Sequence, residues 1–405
     1  MRILVITQYF WPENFRINDL CSELSERNHE ITVLTGYPNY PEGKILSEFK
    51  NNKHKYSKLN KIKIYRVPLF PRGNTKWSLI LNYLSFMLTA SFIGPIKLMG
   101  RDFDLVFVCQ LSPATVAVPG VVFSRLKQVP MAMWILDIWP DSLKAVGVLK
   151  NKRALLFINS CMNYIYKRCK LIFVQSKSFK EKIERGMIIP TQIIYSPTWA
   201  EKKFEIQNKD EIAKGKCDNK SFIVTFAGNI GQAQDMDCIV EAAEILKNQT
   251  NIKFHIVGDG RDYQRLKLIV TQRCLTNTVK LFGRRPLDEM PYFFEKSDAL
   301  LLTLTDEEIF TMTIPGKLQS YLAFGKPIVA AINGEASNII ELSGAGFCVK
   351  SSDSNALANT IDEMSKMNKI DLIALGKNGK DYYKKVFDRE IVINEIEYQL
   401  NSMIK

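Results

Sequence analysis

Short runs of apolar residues alternate with longer segments of helical periodicity along most of the chain. Residues 2–7 (RILVIT) and 222–227 (FIVTFA) are two such runs, and apolar runs of this length are typical of strands buried on both faces of a parallel sheet. Each run opens a series of alternating strands and helices. The pattern therefore predicts an α/β protein with two doubly wound, Rossmann-like domains, and such folds bind ligands outside the carboxyl ends of their strands.

The predicted domains meet near Pro197, because proline breaks regular structure. The first domain is predicted to cover residues 1–195, joined by a final helix within 388–405, and the second to cover 200–386. The first domain has predicted strands at 2–7, 30–35, 62–67, 105–109, 132–136, 171–175 and 193–195. The second has predicted strands at 222–227, 252–257, 279–282, 298–303, 327–331 and 346–349.

Composition is ordinary for a globular protein, with 46% hydrophobic and 24% charged residues. The eight cysteines form no Cys-x-x-Cys pair, which favours a reduced cytosolic protein over a disulfide framework or a zinc site. Because the first apolar run begins at residue 2, we expect no signal peptide.

Positive charge is concentrated in the first half of the chain. Residues 1–200 contain 28 Lys and Arg against 13 Asp and Glu, whereas the remainder contains 27 against 29, so the first half carries the whole net charge of +13. Within it, residues 49–101 contain eleven basic side chains and no acidic one. A basic surface beside apolar residues is attracted to an anionic membrane by about 1 kcal/mol per Lys or Arg. A solvated lysine-rich loop is the alternative interpretation.

The basic residues flank an uncharged apolar segment at 77–96, which is long enough to span a membrane. A weakly polar stripe recurs along it at helical spacing, and Gly94-Pro95 is expected to end it. The stripe consists of Ser78, Asn82, Ser85 and Thr89. It favours a core helix near the surface, with an interfacial helix and a true span as alternatives.

Two glycine-containing loops follow strands of the second domain. One contains Gly228, Asn229 and Gly231, and the other contains Gly258, Asp259 and Gly260. Glycines let the backbone approach a phosphate closely, and a following helix supplies free amides. Plain tight turns explain both loops equally well, and neither loop has the GxGxxG pattern of a dinucleotide site.

The segment 313–327 gives the sharpest signal for an anion. Pro315 suits the first position of a helix, and Gly325 followed by Pro327 suits its end. Lys317 then lies in the first turn, where a cation opposes the helix dipole unless an anion is bound. A diphosphate held by Lys317 and the free amides removes that conflict, and a solvated lysine is the alternative.

Several motifs together resemble the retaining GT-B glycosyltransferases of glycosyltransferase family 4. The resemblance is strongest to the bacterial surface-polysaccharide branch that includes L-fucosamine and colanic-acid transferases. The motifs span both predicted domains and comprise residues 8–20 (QYFWPENFRINDL), 28–41 (NHEITVLTGYPNYP), 137–142 (DIWPDS), 226–234 (FAGNIGQAQ) and 315–330 (PGK followed by YLAFGKPIVA).

The resemblance implies a GT-B fold whose second domain binds a nucleotide-sugar, with a UDP-linked donor expected, and whose first domain binds the acceptor. It implies retention at the anomeric carbon without a metal, a cofactor or a covalent intermediate, so that the protein positions substrates and stabilises diphosphate charge. N-acetyl-L-fucosamine is one of the sugars that the resemblance leads us to expect. The expected acceptor is a polyprenyl-diphosphate-linked saccharide of O-antigen (lipopolysaccharide), capsule or exopolysaccharide synthesis. We expect a cytoplasmic protein, peripheral on the inner face of the plasma membrane, with no nucleic-acid partner and with domain closure during catalysis.

The chain departs from the family at two places. Most members carry two glutamates eight residues apart, and the matching positions here are Met312 and Ser320. Members also place Arg and Lys after the first strand of the second domain, where this chain has neither. The donor-sugar and ribose contacts of the family therefore cannot be transferred to this sequence.

With the resemblance, the sequence nominates three sets of site residues. The predicted catalytic residues are Lys317, Asp137 and Arg16. The predicted donor-binding residues are Gly228, Asn229, Gly231, Gly258, Asp259, Gly260, Arg284, Arg285, Pro315, Gly316, Gln319, Ser320 and Glu335. The predicted acceptor-binding residues are Asn14, Phe15, Trp139 and Asp141. Structural alternatives are a loop cap for Asp137, a helix N-cap for Asp141 and a surface position for Glu335.

Other functions remain open on the sequence alone. A UDP-sugar 2-epimerase shares the fold but needs acid–base residues that the sequence does not supply clearly. A non-catalytic nucleotide-sugar-binding subunit needs only the pocket, and the missing glutamates keep that alternative open. A polysaccharide phosphorylase is disfavoured because it needs a much longer chain.

Overall fold

The computed structural model describes residues 1–73, 75–145, 149, 151–186, 191–205 and 221–404. The chain divides into two compact units, of which the first comprises Met1–Pro197 with Ile393–Lys405 and the second comprises Thr198–Val392. The assignment of acceptor binding to the first unit and donor binding to the second stays a prediction.

The first unit is built on an eight-stranded sheet in the order β3-β4-β2-β1-β5-β6-β7-β8. Its strands are β1 Arg2–Ile6, β2 Glu30–Gly36, β3 Lys58–Leu59, β4 Ile62–Val67, β5 Leu105–Gln110, β6 Met131–Ile135, β7 Leu171–Val174 and β8 Gln192–Tyr195. Only the short β3 pairs antiparallel, with β4, among the strand pairs of this sheet. The strand order reverses between β1 and β5, and the crevice at such a reversal is where doubly wound sheets bind ligands.

The second unit contains a six-stranded parallel sheet in the order β11-β10-β9-β12-β13-β14. Its strands are β9 Phe222–Ala227, β10 Ile252–Val257, β11 Val279–Gly283, β12 Ala299–Thr303, β13 Ile328–Ala331 and β14 Gly346–Val349. Here the order reverses between β9 and β12. Central strands such as β9 and β12 are buried at every position, which explains their continuous apolar sequences.

The helices cover both faces of each sheet, as expected for doubly wound α/β units. In the first unit they are α1 Arg16–Glu26, α2 Ser47–Asn51, α3 Lys76–Lys97, α4 Ala117–Lys127, α5 Asp141–Ala145, α6 Lys152–Tyr166 and α7 Lys177–Gly186. The remaining helices are α8 Lys202–Glu205, α9 Met236–Ile245, α10 Tyr263–Gln272, α11 Met290–Glu295, α12 Glu308–Thr311, α13 Gly316–Phe324, α14 Glu335–Ser343, α15 Ser354–Lys366, α16 Lys369–Val386 and α17 Arg389–Ser402. The predicted α/β fold with two Rossmann-like sheets is confirmed.

Helix α3 differs from its prediction at its C-terminal end. It continues through Pro95 to Lys97, so Gly94-Pro95 does not end it. Its polar stripe faces the protein: Asn82 is fully buried, accepts a hydrogen bond from Gln8 at 2.7 Å and donates to the Phe70 carbonyl at 2.6 Å. The polar side of α3 thus packs against the protein, as in the favoured core helix near the surface, and its opposite, apolar side does not.

That apolar face of α3 is exposed. Trp77, Phe92 and Ile96 expose 76%, 71% and 66% of their surface. Among the described residues, α3 is also the one helix that is long and apolar enough to cross a membrane, judged by length and composition alone. A contiguous exposed apolar face of this kind marks an interaction surface.

Candidate active site

In the second unit, the loops after β9 and β10 pack against each other at the carboxyl edge of the sheet. The Ile230 amide donates to the Asp259 carbonyl at 2.9 Å. A Cβ atom on Gly258 would lie 1.8 Å from the Gly228 carbonyl oxygen, and one on Gly260 would lie 2.1 Å from the Ile230 carbonyl oxygen. The close approach of the two loops therefore requires the glycines at 258 and 260, independently of any ligand.

Lys317 lies over the β9 loop. Its Nζ atom is 3.8 Å from the centroid of the Phe226 ring and contacts Oε1 of Gln234. A Cβ atom on Gly228 would approach Nζ to 3.3 Å, so glycine at 228 leaves room for the lysine. The sequence predicted Pro315 as the first residue of the helix. In the structure Pro315 is instead the N-cap of α13, with an extended ψ of 133°. Lys317 nevertheless lies in the first turn of α13.

The environment of Lys317 suits an anion. Burial lowers the pKa of Lys317 from 10.5 to about 7, because desolvation disfavours the charged form. Among the described residues, no carboxylate lies within ion-pair distance of Lys317. The half-buried lysine is thus not the fully solvated side chain that the alternative interpretation assumed, and a bound anion would restore its charge.

Beside the next turn of α13 lies the carboxylate of Glu201, which the sequence did not predict as a site residue. Gln319 is buried, and its side-chain amide nitrogen donates to the Pro315 carbonyl at 2.8 Å. The Ser320 hydroxyl lies 3.2 Å from Oε2 of Glu201 and 3.3 Å from the Gly316 carbonyl. Ser320 occupies a position where the resembling family has a glutamate, and Glu201 places a carboxylate beside it. No local sequence signal announces this contact, because 119 residues separate the two.

The other predicted donor residues occupy more open positions. Arg284 and Arg285 follow the edge strand β11, and Arg285 lies 3.9 Å from Glu289. Glu335 is the first residue of α14 and is half-buried. Gly231 is also half-buried, next to the Asn229 amide. The exposed members of the predicted set are Gly228, Asn229, Asp259, Arg284, Arg285 and Gly316.

In the first unit, an aromatic cluster forms at the carboxyl end of β1. The Phe15 ring stacks on Tyr9 at 5.4 Å and meets Tyr40 at 5.2 Å. The Arg72 guanidinium lies 5.6 Å from the centroid of Tyr40. The predicted acceptor residue Phe15 therefore lies in a cluster that also contains the cation Arg72. In the sequence, Arg72 was one of the eleven basic residues at 49–101 and was not predicted to belong to the site.

Arg72 and Asp137 both interact with Tyr83. Although burial works against its charge, interactions with the hydroxyls of Tyr9, Tyr83 and Tyr40 raise the pKa of Arg72 above its ordinary value. Burial also raises the pKa of Tyr83, with Arg72 lowering it and Asp137 raising it further. Burial raises the pKa of Asp137 from 3.8 to about 6, opposed by nearby polar groups that include the Ser142 hydroxyl. This carboxyl group is thus poised to change charge near neutral pH.

The remaining predicted residues of this unit are Trp139, Asp141, Arg16 and Asn14, and they differ in burial and in partners. Trp139 is buried, with its ring 5.8 Å from Tyr83. Asp141 is the first residue of α5 and pairs with Lys182 at 2.8 Å. Arg16 is the first residue of α1, and Asn14 is exposed two residues before it.

A buried carboxylate, Glu13, fixes the loop that carries Tyr40. Its oxygens accept backbone hydrogen bonds from Asn39 at 2.8 Å, Tyr40 at 2.7 Å and Phe10 at 3.3 Å. Burial raises the pKa of Glu13 to about 7. Glu13 lies within the motif at 8–20 but was not among the site residues predicted from the sequence.

Known proteins with similar sequences are glycosyltransferases. The family described as glycosyl transferases group 1 matches residues 207–382. The Pseudomonas aeruginosa protein named "Probable glycosyltransferase WbjE" is 28% identical and covers 76% of both chains. WcaI of Escherichia coli K12, named for colanic acid biosynthesis, is 24% identical over 98% of both chains.

Solved structures extend the similarity to the whole fold. Anabaena Alr3699/HepE in complex with UDP superposes with a TM-score of 0.72 at 18% identity, covering 99% of this chain and all of that one. WaaG, described as a glycosyltransferase involved in lipopolysaccharide biosynthesis, gives 0.68 at 12% identity over 98% of both chains. The chain therefore contains a glycosyl transferases group 1 domain and is a glycosyltransferase with the GT-B fold.

Proposed function

We propose that this glycosyltransferase moves a sugar from a UDP-linked donor to a lipid-linked saccharide during the synthesis of a bacterial surface polysaccharide. The observation that carries the proposal is Lys317, a half-buried cation at the carboxyl end of β9 without a carboxylate partner among the described residues. The UDP complex of a structural neighbour supports a UDP-linked donor, and the relatives named for colanic acid biosynthesis support a role in polysaccharide synthesis. N-acetyl-L-fucosamine is one candidate sugar.

The donor diphosphate would lie against the first turn of α13. Free amides at a helix start and a nearby lysine form a site for a diphosphate. Gly228 leaves the space beside Lys317 that a phosphate oxygen needs. The Glu201 carboxylate lies beside Ser320 and would accept hydrogen bonds from hydroxyl groups of the donor.

The proposed transfer retains the configuration at the anomeric carbon and needs no protein nucleophile. The bond from the anomeric carbon to the diphosphate oxygen breaks, and a bond to the acceptor hydroxyl oxygen forms on the same face. The hydroxyl proton passes to the leaving diphosphate. Lys317 stabilises the negative charge that develops on the diphosphate, as preorganised cations do at reacting phosphates.

On the acceptor side, Asp137 would orient the attacking hydroxyl through its carboxylate. The aromatic cluster around Phe15 offers flat apolar faces for sugar rings, and Tyr40 is held in place by Glu13. Arg16 at the start of α1 completes the predicted set. No cofactor or metal is part of the proposed reaction.

We also propose that the protein docks peripherally on the cytoplasmic face of the plasma membrane through α3. Its exposed apolar face, which includes Trp77 and Phe92, would insert between headgroups. The acid-free basic segment at 49–101 would add electrostatic attraction to anionic lipids.

A substrate panel tests the reaction. Purified protein is incubated with UDP- and GDP-sugars and a polyprenyl-diphosphate-linked monosaccharide, and products are identified by mass spectrometry and by the anomeric coupling constant. A product enlarged by one sugar with retained configuration supports the proposal. UDP binding without transfer to any acceptor would favour the non-catalytic subunit, and isomerised donor would favour the epimerase.

A matched pair of variants links the reaction to the site. Lys317→Ala is expected to abolish most transfer, whereas Lys267→Ala removes an exposed lysine of α10 in the same unit and is expected to leave transfer unchanged. Equal losses in both variants would remove Lys317 from the proposed site.

A further inference from the structure

An apolar groove runs between α3 and α6 in the first unit. Its volume is about 390 Å³, within the range of about 300–1,000 Å³ that ligand pockets occupy. Side chains from α3, the start of α4 and α6 form its walls, including Ile80, Leu84, Val118, Phe157, Ile158 and Met162. Almost every group that faces it is apolar.

The groove opens onto the exposed apolar surface. Leu84 and Phe157, both wall residues, expose 41% and 70% of their surface. Leu156 on α6 and Leu88 on α3 are also exposed. The groove is thus continuous with the surface on which we propose that the membrane lies.

Two aromatic residues of the groove wall connect it to charged side chains. Tyr83 and Trp139 both line the groove, with their rings 5.8 Å apart. Tyr83 also interacts with the Arg72 guanidinium and with the Asp137 carboxylate. Among the described residues, no carboxylate lies within ion-pair distance of Arg72, so its charge is available to a ligand.

We propose that this groove holds the first isoprene units of the acceptor's lipid chain while Arg72 binds the phosphate attached to that chain. The inference rests on the proposed function, since it names where a lipid-linked acceptor would lie. The occupant is an isoprenoid phosphate, because an apolar groove whose wall residue Tyr83 interacts with a cation that has no carboxylate partner matches an apolar chain that ends in an anion.

The substrate consequence is a dependence on lipid length. Burial of each methylene favours binding in proportion to the apolar area removed from water. Binding should therefore strengthen over the first few isoprene units and then stop, since the groove is finite. Loss of Arg72 should weaken every phosphate-bearing acceptor, because a guanidinium binds phosphate through charge-assisted hydrogen bonds.

Calorimetry on the full chain in detergent-free solution tests the proposal, with saturating UDP to occupy the donor site. Farnesyl diphosphate, with three isoprene units, is compared with isopentenyl diphosphate, with one. The wild-type protein should bind the farnesyl compound at least tenfold more tightly. Ile158→Trp fills the groove and should reduce that preference below threefold, whereas Leu88→Trp, outside the groove on the exposed face, should keep it.

Arg72→Gln should weaken both compounds by at least tenfold, and Arg72→Lys should restore part of that loss. Circular dichroism and UDP affinity establish that each variant is folded. An unchanged preference in Ile158→Trp would show that the chain binds elsewhere, on the exposed face or in the bilayer, and overturn the groove. Unchanged affinity in Arg72→Gln would overturn the phosphate site.

The binding test and the transfer test fail separately. If no lipid-linked acceptor is glycosylated but the farnesyl preference and its loss in Ile158→Trp are observed, the proposed function is wrong and the groove stands as an isoprenoid-phosphate site without an acceptor role. If transfer occurs with equal efficiency to acceptors of every lipid length, the function stands and the groove is wrong.

Discussion

Replacing Lys317 by alanine gives the most direct test of the donor site. The side chain contacts Gln234 and the Phe226 ring, and it fills the space above Gly228. Removing it deletes a cation that the proposed mechanism uses in the transition state. We expect kcat/KM to fall by about 10²–10³-fold, equivalent to about 2.7–4 kcal/mol, the scale of one preorganised charge contact.

The pH dependence of UDP binding gives a second test of Lys317. Burial holds the pKa of Lys317 at about 7 in the free protein, and a bound diphosphate would raise it because opposite charge favours the protonated form. Binding then takes up a proton above neutral pH. The affinity for UDP should therefore fall by up to roughly tenfold per pH unit above about 7.

Calorimetry at several pH values, in buffers of different ionisation enthalpy, measures both the affinity and the proton uptake. In Lys317→Ala the proton uptake should disappear. Lys317→Arg should retain charge across the range and show no decline with pH, because arginine stays protonated.

The lowered pKa of Lys317 also makes the stability of the unliganded protein depend on pH. Between pH 7 and 10.5 the unfolded chain binds more protons at Lys317 than the folded chain does, so the unliganded protein should gain stability from this group as pH rises. Activity of folded Lys317→Ala within a few-fold of wild type, or wild-type UDP affinity that does not change between pH 6 and 9, would refute the assignment.

Three further predictions concern other parts of the molecule. Burial raises the pKa of Asp137 to about 6, so kcat should fall as pH drops below about 6; a profile of the same shape in folded Asp137→Asn would contradict a role for its ionised form. Glu201→Gln should raise the donor KM by about tenfold, from the loss of a charged acceptor, with acceptor KM unchanged; a change in acceptor KM alone would place Glu201 outside the donor site. Sedimentation with anionic liposomes should be salt-sensitive and should be lost in Trp77→Ser/Phe92→Ser but not in Leu268→Ser, which changes an exposed leucine of the second unit; equal binding of all forms to neutral vesicles would argue against peripheral docking through α3.

The sequence predicted the fold well because parallel strands buried on both faces are apolar throughout. The runs at 2–7 and 222–227 correspond to β1 and β9, and the strand ends they define are where the loops of both units gather. The family motifs likewise identified the glycosyltransferase class, since the residues of those loops lie in short contiguous segments.

The sequence was less informative about α3. Its polar stripe favoured a core helix near the surface without showing which side of the helix is buried, and in the structure Asn82 of the stripe is buried in hydrogen bonds to Gln8 and the Phe70 carbonyl. A periodic pattern shows that a helix has two different faces, and it does not show which one meets the protein. The packing partners decide that, and here they are polar groups from distant parts of the chain.

By itself, then, the sequence determined the two Rossmann-like units, the enzyme class and the lysine at the start of α13, because each depends on local periodicity or on a contiguous motif. Only the tertiary structure brought Glu201 to Ser320, Arg72 to Tyr83 and α6 to α3. These contacts join residues far apart in the chain, and no short-range pattern records them. They arise because the strand order of a doubly wound sheet collects loops from separate βα units at one edge.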